Sequence, residues 1–549
     1  MKLDNQTIKS ALLDGDYLSE EKVSQADKFA ESRNISLAEA IFSLDLIKKD
    51  YLGQALAEKF NLPFCNIESQ SPAAEEVLKI PEEIARKFKV ALISEKDGRV
   101  LIAVPAPPDQ ELVAVIGNVF PGKTVSFVFS FPEDIEKLFI FYRRPLTTRF
   151  AEIVRTQERV APEIIDEIIK DALLFEASDI HFEPRGKKVI IRFRISGVLY
   201  VAGMIPKEYY LNILNRIKVL ANLRSDEHNR TQDGAIRYQT GGNFLDIRVS
   251  IAPTVEGEKA AMRILARHVH ILSLSDLGFS PEKQELISKA IQKPAGMILV
   301  SGPTGSGKTT TLYTILKNLN TPEVNITTIE DPVEYKISGI NQIQVNTETE
   351  LTFARGLRSI VRQDPNIVLV GEIRDTETAE ISVNAALTGH LMLSTFHAVD
   401  AATTISRLLY MDIEPSILSS TLELIISQRL VRKICPACRH SLTADQEKLK
   451  NDLMHPERYF PGPTATLYEG KGCNACQGMG YAGQTAIFEV MPITSEIREL
   501  ILKKPAASEF AALAKKQGLH SFFEDGIEKV RSGVTTLKEL LRVATPPEE

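Results

Sequence analysis

The segment SGPTGSGKTT, residues 301–310, constrains this 549-residue chain more than any other. An apolar run, MILV, precedes it, and the helical stretch TTTLYTILKNL follows it. Glycines at a strand-to-helix junction let backbone N–H groups turn towards a phosphate, and the helix N-terminus adds partial positive charge. The segment therefore predicts a phosphate-binding loop rather than a plain glycine-rich turn. The residues expected to bind the nucleotide are Gly302, Thr304, Gly305, Ser306, Gly307, Lys308, Thr309 and Thr310.

Two residues of this loop have distinct expected roles. Lys308 should bridge the β and γ phosphates of ATP, and Thr309 should hold Mg²⁺. Around the loop, residues 295–435 alternate short apolar strands with helical stretches. This alternation predicts an α/β domain with a parallel sheet and crossover helices.

Two further strands of this domain end in acidic residues. ITTIEDP brings Glu330 to a strand end, and NIVLVGE brings Glu372, with Gly371 where a Walker B aspartate would normally sit. Ligands of open α/β sheets lie beyond the carboxyl ends of the strands. Hydrolysis needs one carboxylate to orient water and another to hold metal, so we expect Glu330 as the base and Glu372 as the metal-side acid. The alternative is that either residue is a solvated carboxylate at a strand end.

A histidine follows the next strand. In TGHLMLSTFHA, His397 lies at the carboxyl end of the predicted strand LMLSTF, on the nucleotide side. An imidazole there can donate a hydrogen bond to a γ-phosphate oxygen. His397 is therefore expected to respond to that phosphate, although a structural role remains the alternative.

Four of the five cysteines form two matched pairs, Cys435-x-x-Cys438 and Cys473-x-x-Cys476. Each pair presents two thiolates to one ion, and two pairs complete a tetrahedral sulfur shell. The pattern predicts a structural Zn²⁺ site without catalytic chemistry. Cys65 stands alone and is expected to be a core thiol.

Composition and charge exclude other classes. Lys and Arg number 65 against 72 Asp and Glu, so the net charge of −7 disfavours general nucleic-acid binding. No window approaches the roughly 18 apolar residues of a membrane span, and MKLDNQTIKS has no apolar core typical of a signal peptide. We expect a cytoplasmic protein that reaches a membrane only through partners.

Four successive motifs carry a resemblance to a known family. GPTGSGKTTT, TIEDPVEY, RQDPNIVLVGEIRDTETA and TGHLMLSTFHA resemble those of the secretion ATPases that drive type II secretion and type IV pilus assembly. Upstream, ASDIHFEP, QDGAIRY, DIRVS and GEKAAMRIL resemble the second N-terminal domain of this family. The similarity covers about residues 160–490. Ser196 and Val399 depart from the family pattern, where Asp and Asn are usual.

The resemblance implies a fold and an assembly. It implies a homo-hexameric ring of RecA-like P-loop ATPase cores, each preceded by an α+β, PAS-like domain that closes over the nucleotide. Arg248 and Arg263 match the arginines of that domain that reach the phosphates; the alternative is ordinary surface arginines. The expected organisation is an N-terminal docking or regulatory domain, a linker, the PAS-like domain, the ATPase core, the zinc-binding insertion and a C-terminal helical region, at residues 1–142, 143–160, 161–280, 281–434, 435–485 and 486–549.

The resemblance also ranks the functions. Pilus-retraction ATPases are shorter and lack both the tetracysteine insertion and the long N-terminal region. We therefore expect an assembly motor for type IV pili that acts through an inner-membrane platform protein, with the type II secretion ATPase as the alternative. The N-terminal domain resembles one that binds cyclic di-GMP in some relatives, but IKSALLDGDYLSEEKVSQA lacks their Arg-Leu-Gly signature, so docking to a membrane-anchored or scaffold protein is favoured.

Two other functions compete with the motor. A nucleic-acid translocase would use the basic cluster Arg429, Arg432, Lys433 and Arg439, but the net charge and the lack of an aromatic-interleaved basic strand disfavour it. A binding module with vestigial hydrolysis is disfavoured by the complete acidic and phosphate-binding set.

Overall fold

The computed structural model describes residues 5–33, 37–44, 46–67, 72–142, 161–240, 243–265, 273–346, 349–473, 476 and 478–547. The chain divides into two compact units, one of residues 1–2 and 53–270 and one of residues 3–52 and 271–549. The linker predicted at 143–160 lies outside the described residues. The domain predicted at 1–142 is divided between the two units near residue 52.

The first part of the 53–270 unit is a small α/β domain. Its strands are β1 (Ala91–Lys96), β2 (Arg99–Val104) and β3 (Thr124–Phe129), and its helices are Ala74–Val77, Glu82–Phe88, Gln110–Val119 and Pro132–Leu138, with a 3₁₀ turn at Phe139–Tyr142. β1 and β2 are antiparallel, and β2 and β3 are parallel. Asp97 and Gly98 both have positive φ, 50° and 73°, which is the geometry that a two-residue hairpin turn needs.

The second part of this unit is an antiparallel six-stranded sheet with two helices. Its strands are β4 (Asp179–Arg185), β5 (Lys188–Ile195), β6 (Val198–Pro206), β7 (Gln232–Thr240), β8 (Asn243–Thr254) and β9 (Gly257–Leu265), in the order β6-β5-β4-β9-β8-β7. Helices Ala161–Leu174 and Lys207–Leu220 cover the apolar face. Residues alternate in these strands, so Ile180 and Phe182 are buried in the core, as a half-buried sheet requires.

The 271–549 part holds the largest sheet. Its strands are β10 (Gly296–Ser301), β11 (Ile326–Glu330), β12 (Asn341–Gln344), β13 (Ile367–Val370), β14 (Leu391–Phe396), β15 (Leu422–Ile434), β16 (Arg439–Asp445), β17 (Thr464–Gly470) and β18 (Tyr481–Pro492). The seven-stranded order is β12-β11-β13-β14-β10-β15-β18, and every pairing except β15 with β18 is parallel. β16 and β17 form a separate two-stranded sheet.

Helices cover both faces of the seven-stranded sheet. All six residues of β10 are buried, which is typical of a central parallel strand. The helices of this part are Leu274–Leu277, Pro281–Ile291, Lys308–Leu319, Phe353–Ile360, Thr376–Leu387, Ala401–Tyr410 and Pro415–Thr421. The predicted α/β core is confirmed.

The C-terminal part differs from the predicted boundaries. β18 crosses the boundary expected at 485/486 and pairs with β15 in the core sheet. The core sheet therefore extends beyond residue 434, and residues 486–492 form part of a strand and not of a helix. Helices Ser495–Leu502, Ala507–Lys516, Phe522–Arg531 and Leu537–Val543 follow it. The apolar run AIFEVM has neither a clear helical nor a clear strand period, so sequence alone leaves the two open.

The remaining elements are short. Helices Gln446–Leu449 and Pro456–Tyr459 lie in the segment between the cysteine pairs, and helices Asn5–Asp14, Glu20–Arg33, Leu37–Ser43 and Lys49–Lys59 form the N-terminal segment. Val23, Ala26 and Ala30 are buried on one helical face, as their spacing predicts. Among the described residues no helix is long and apolar enough to cross a bilayer.

Candidate active site

The phosphate-binding loop, residues 302–309, connects β10 to helix Lys308–Leu319 as predicted. Gly302 has φ of 147°, and a Cβ there would lie 2.5 Å from the carbonyl oxygen of Gln428, so only glycine fits. Gly307 precedes the helix with φ of 85° and gives it no side-chain cap. The first N–H groups of this helix are therefore available to an anion.

Two side chains of the loop are suited to binding a phosphate. Lys308 is 8% exposed, and its ammonium donates to the carbonyl oxygens of Gly302 and Pro303, at 3.0 Å each. Burial lowers the pKa of Lys308, and the nearby Glu372 carboxylate opposes that shift. The Ser306 hydroxyl is buried and has no hydrogen-bond partner among the described residues. Buried hydroxyls normally have partners, so this one fits a ligand oxygen.

Glu372 follows β13 and brings the second group of functional residues together. Its Oε2 lies 3.2 Å from Nε2 of His397, and its Oε1 lies 2.5 Å from the Arg374 guanidinium. The hydrogen bond to Glu372 raises the pKa of Arg374. The structure therefore places Lys308, Glu372 and His397 in one group at the carboxyl end of the parallel strands. No spacing pattern in the sequence predicts Arg374 as a member of this group.

Glu330 ends β11 and is 3% exposed. Its carboxylate accepts hydrogen bonds from the hydroxyl of Tyr313, from Oγ1 of Thr328 at 2.5 Å and from Nε2 of Gln342 at 3.3 Å. Burial and the adjacent Glu330 charge raise the pKa of Tyr313 far above its usual range. Both oxygens of Glu330 are thus held by neighbouring side chains. Tyr313, on the helix that follows the loop, is a further residue that sequence reasoning missed.

Gln428 of β15 is another missed contact. It is 1% exposed, accepts a hydrogen bond from Thr311 at 2.6 Å and donates to the carbonyl oxygen of Ser306. The amide therefore supports the phosphate-binding loop from the adjacent strand. The sequence signal was available: a glutamine inside the apolar strand LELIISQRL needs a buried polar partner.

Arg248 and Arg263 lie in the other compact unit, the one of residues 53–270. They are directly opposite each other on β8 and β9 and are exposed, while Ile247 and Val249 point to the core. Nε of Arg263 lies 3.0 Å from the Asp179 carboxylate. The two arginines therefore form one polar patch on the exposed face of the sheet.

The four paired cysteines meet as predicted. The sulfurs of Cys435, Cys438, Cys473 and Cys476 all lie within 4.8 Å of one another. Three sulfur–sulfur distances are 3.7–3.9 Å. Four sulfurs placed tetrahedrally at about 2.3 Å from a zinc ion are about 3.8 Å apart. Backbone N–H groups of Cys473 and Gly480 also donate to the Cys476 sulfur, at 3.1 and 3.2 Å.

Two family models match the chain. The model described as "Type II/IV secretion system protein" matches residues 155–542, and the model described as "MshEN domain" matches residues 60–145. The first match alone covers more than half of the sequence.

Full-length relatives agree with these models. The chain is 36% identical to the type IV pilus assembly ATPase PilB of Myxococcus xanthus, over 96% of this chain and 97% of that protein. It is 34% identical to type II secretion system protein E of Xanthomonas campestris, over 98% of each. PilB of Thermus thermophilus is 38% identical over 90% of this chain, and the match spans 57% of that longer protein.

A solved structure is similar in fold. The X-ray structure of the Legionella pneumophila ATPase DotB has a TM-score of 0.52 and 20% identity, over 70% of this chain and 96% of that one. This likeness and the parallel sheet confirm the expected RecA-like core. The chain belongs to the type II/IV secretion system protein family and is one of its ATPases.

Proposed function

We propose that this protein is a homo-hexameric Mg-ATP-hydrolysing motor that powers type IV pilus assembly through an inner-membrane platform protein. The observation that carries the ATPase part is the grouping of Lys308, Glu372 and His397 beside the phosphate-binding loop. The pilus part is supported by the similarity to PilB over nearly the whole chain and by the N-terminal and tetracysteine segments. Type II secretion is the second candidate, because protein E of that system is almost as similar.

The side chains around the loop fit a magnesium nucleotide. Thr309 and the carboxylate of Glu372 offer the oxygen ligands that Mg²⁺ prefers. When bound, that ion neutralises charge on the phosphates. Lys308 would leave the loop carbonyl oxygens for the β and γ phosphates, because a dianion is the stronger acceptor. The Ser306 hydroxyl would then gain the partner that it lacks within the described structure.

We assign Glu330 as the base that orients the attacking water and Glu372 as the acid on the metal side. Tyr313, Thr328 and Gln342 hold the Glu330 carboxylate in one orientation. Its Oε1 accepts from Thr328 and Gln342, whereas Oε2 accepts from Tyr313 and keeps a second lone pair for water. Glu372 is close enough to Lys308 to affect its pKa and is hydrogen-bonded to His397. That hydrogen bond holds the imidazole beside the phosphate-binding loop, and Nε2 would exchange the Glu372 carboxylate for a γ-phosphate oxygen as its acceptor.

The remaining site residues complete the proposal. Arg248 and Arg263, as a pair of exposed cations, would stabilise the charge on the transferring phosphoryl group. The tetracysteine group would bind Zn²⁺, because its sulfur spacing matches a tetrahedral shell.

The N-terminal segment has a proposed role in docking. Residues 1–142 would dock on a cytoplasmic or membrane-anchored partner. Such partners would hold the motor at the inner membrane. Nucleic acid remains a disfavoured ligand, since Arg429 and Arg432 of the basic cluster are engaged within the chain.

The pathway is tested by capture of partners. Glu330→Gln should bind ATP without hydrolysing it, and we would identify what co-purifies with it from gently solubilised cells. A polytopic platform protein with pilins supports the proposal, whereas a platform with pseudopilins assigns the chain to type II secretion. Recovery of nucleic acid without membrane proteins would contradict both. Lys308→Ala, which should not retain ATP, is the matched control for nucleotide-dependent partners.

A further inference from the structure

Glu489 and Arg429 lie on the neighbouring antiparallel strands β18 and β15. Glu489 is directly opposite Ser427, and Arg429 is directly opposite Ile487. Because side chains alternate along a strand, the two charged residues are diagonal neighbours on the same face. The opposite face of β15 at this point carries Gln428, which supports the phosphate-binding loop.

The Glu489 carboxylate caps two helices at once. Its Oε2 accepts from the backbone N–H of Ala401 at 3.2 Å, and its Oε1 accepts from that of Phe522 at 3.4 Å. Ala401 begins the helix Ala401–Tyr410, directly after the histidine loop, residues 397–400. Phe522 begins the C-terminal helix Phe522–Arg531. One carboxylate therefore joins the histidine loop to the C-terminal helices by satisfying N–H groups that a helix leaves unpaired.

Arg429 makes a second, independent connection between the same two parts. Its guanidinium donates to the carbonyl oxygen of Val399 in the histidine loop, at 3.1 Å, and to that of Val543 at the end of helix Leu537–Val543. It also lies 4.5 Å from the centre of the Phe522 ring, within the range of a cation–π contact.

We propose that Glu489, together with Arg429, is a positioning residue for ATP hydrolysis: it fixes the histidine loop, and with it His397, against the C-terminal helices. The inference rests on the role of His397 in the proposed function. It assigns no contact with the nucleotide to Glu489, whose action is on the loop that carries the imidazole.

The ionised form of Glu489 is the one that positions the loop. A carboxylate accepts both N–H bonds, whereas in the carboxylic acid one oxygen becomes a donor. Desolvation raises the pKa of Glu489 from 4.5 to about 7; the two N–H bonds and the Arg429 charge oppose that rise, and the Asp400 carboxylate adds to it. Helix Phe522–Arg531 presents its first backbone N–H to this group. Turnover should therefore fall as the pH decreases through about 7.

Folding stability should fall as the pH rises, whereas turnover should rise. The pKa of Glu489 is higher in the folded chain than its ordinary value of 4.5. The folded state therefore binds more protons than the unfolded state between about pH 4.5 and 7, and the contribution of Glu489 to stability falls as the pH rises through that window. Glu489→Gln should thus lower turnover at about pH 8 without lowering Tm, a combination that loss of a merely structural residue does not give.

The experiment measures kcat, KM for ATP and Tm of the full-length protein between about pH 6 and 8.5. We expect Glu489→Gln to reduce kcat at high pH about threefold to tenfold, because the amide replaces one acceptor oxygen by a donor and so releases one of the two N–H groups. The variant should also abolish the acid limb, which is the fall in kcat as the pH decreases through about 7. Glu524→Gln is the matched control, because Glu524 sits at the start of the same helix and accepts from Ser521 N–H at 2.8 Å. It should keep the wild-type kcat and the acid limb.

A second variant removes the charge of Asp400 but keeps its helix cap. Asp400 accepts from the N–H of Thr403 at 2.7 Å, and asparagine caps helices as well as aspartate does. Asp400→Asn should therefore move the acid limb to lower pH by removing the charge that raises the pKa of Glu489.

Defined results would overturn the inference. The first is that Glu489→Gln keeps the wild-type kcat and acid limb, and the second is that it loses kcat and Tm in parallel at about pH 8. The third is that the acid limb of Asp400→Asn stays at the wild-type pH. Undiminished hydrolysis by Lys308→Ala would instead refute the proposed function itself, so the two failures are distinguishable.

Discussion

The hydroxyl of Tyr313 contacts the proposed base, Glu330, and Tyr313→Phe removes only that hydroxyl. Tyr313 is 1% exposed, and its hydroxyl donates to the carboxylate of Glu330. A hydrogen bond to a charged group contributes about 1.5–3 kcal/mol. If the whole of this contribution holds the base in its catalytic orientation, turnover should fall about 10- to 150-fold, since about 1.4 kcal/mol corresponds to a factor of ten.

The assay is steady-state Mg-ATP hydrolysis by the purified full-length protein, with KM for ATP determined in the same series. KM should change little, because Tyr313 contacts the base and not the phosphate-binding residues. Tyr335→Phe is the matched control: its ring is 4.7 Å from that of Tyr313, and within the described structure its hydroxyl has no hydrogen bond to Glu330. If Tyr313→Phe hydrolyses ATP within about twofold of wild type while Glu330→Gln does not, this hydroxyl does not position the carboxylate.

Three further predictions concern other parts of the molecule. Cys435→Ser should lower bound zinc per subunit and destabilise residues 435–480, whereas Cys65→Ser should leave zinc unchanged; elemental analysis decides, and unchanged zinc in the first variant would contradict the site. Asp525→Asn should lower the free energy of unfolding by about 3–5 kcal/mol, because the buried Asp525 carboxylate holds two lysines and the N–H of Phe488; a denaturant titration that shows less than about 1 kcal/mol would contradict this. Arg263→Ala should reduce kcat for ATP at least about tenfold, and turnover equal to wild type would return this arginine to an ordinary surface role.

Much of the fold and of the site was predictable because its signals are local. The phosphate-binding loop is a contiguous motif between a strand and a helix, and the two CxxC pairs need only short-range geometry to present four thiolates. The Asp97–Gly98 turn is likewise encoded by residues that tolerate positive φ. The loop, the turn and each cysteine pair are short segments, so the residue spacing within each of them is enough for the prediction.

The missed residues act through space. Gln428 is separated by more than a hundred residues from the loop that it supports, and Tyr313 meets Glu330 only when the helix after β10 packs on β11. The sequence predicts a helical region from residue 486, because the apolar run in the second half of β18 is buried almost throughout and shows no alternation. Pairing with β15 decides its conformation, and that pairing depends on the tertiary fold.

Hydrolysis of ATP at this loop, with Glu330 as the base, can be tested in a single experiment. It compares ATP binding and Mg-ATP turnover of Glu330→Gln with those of the wild-type chain. We predict that the variant binds ATP as the wild type does and loses at least about a hundredfold in turnover, because an amide cannot accept the proton of water. Wild-type turnover in a variant that still binds ATP would contradict the assignment.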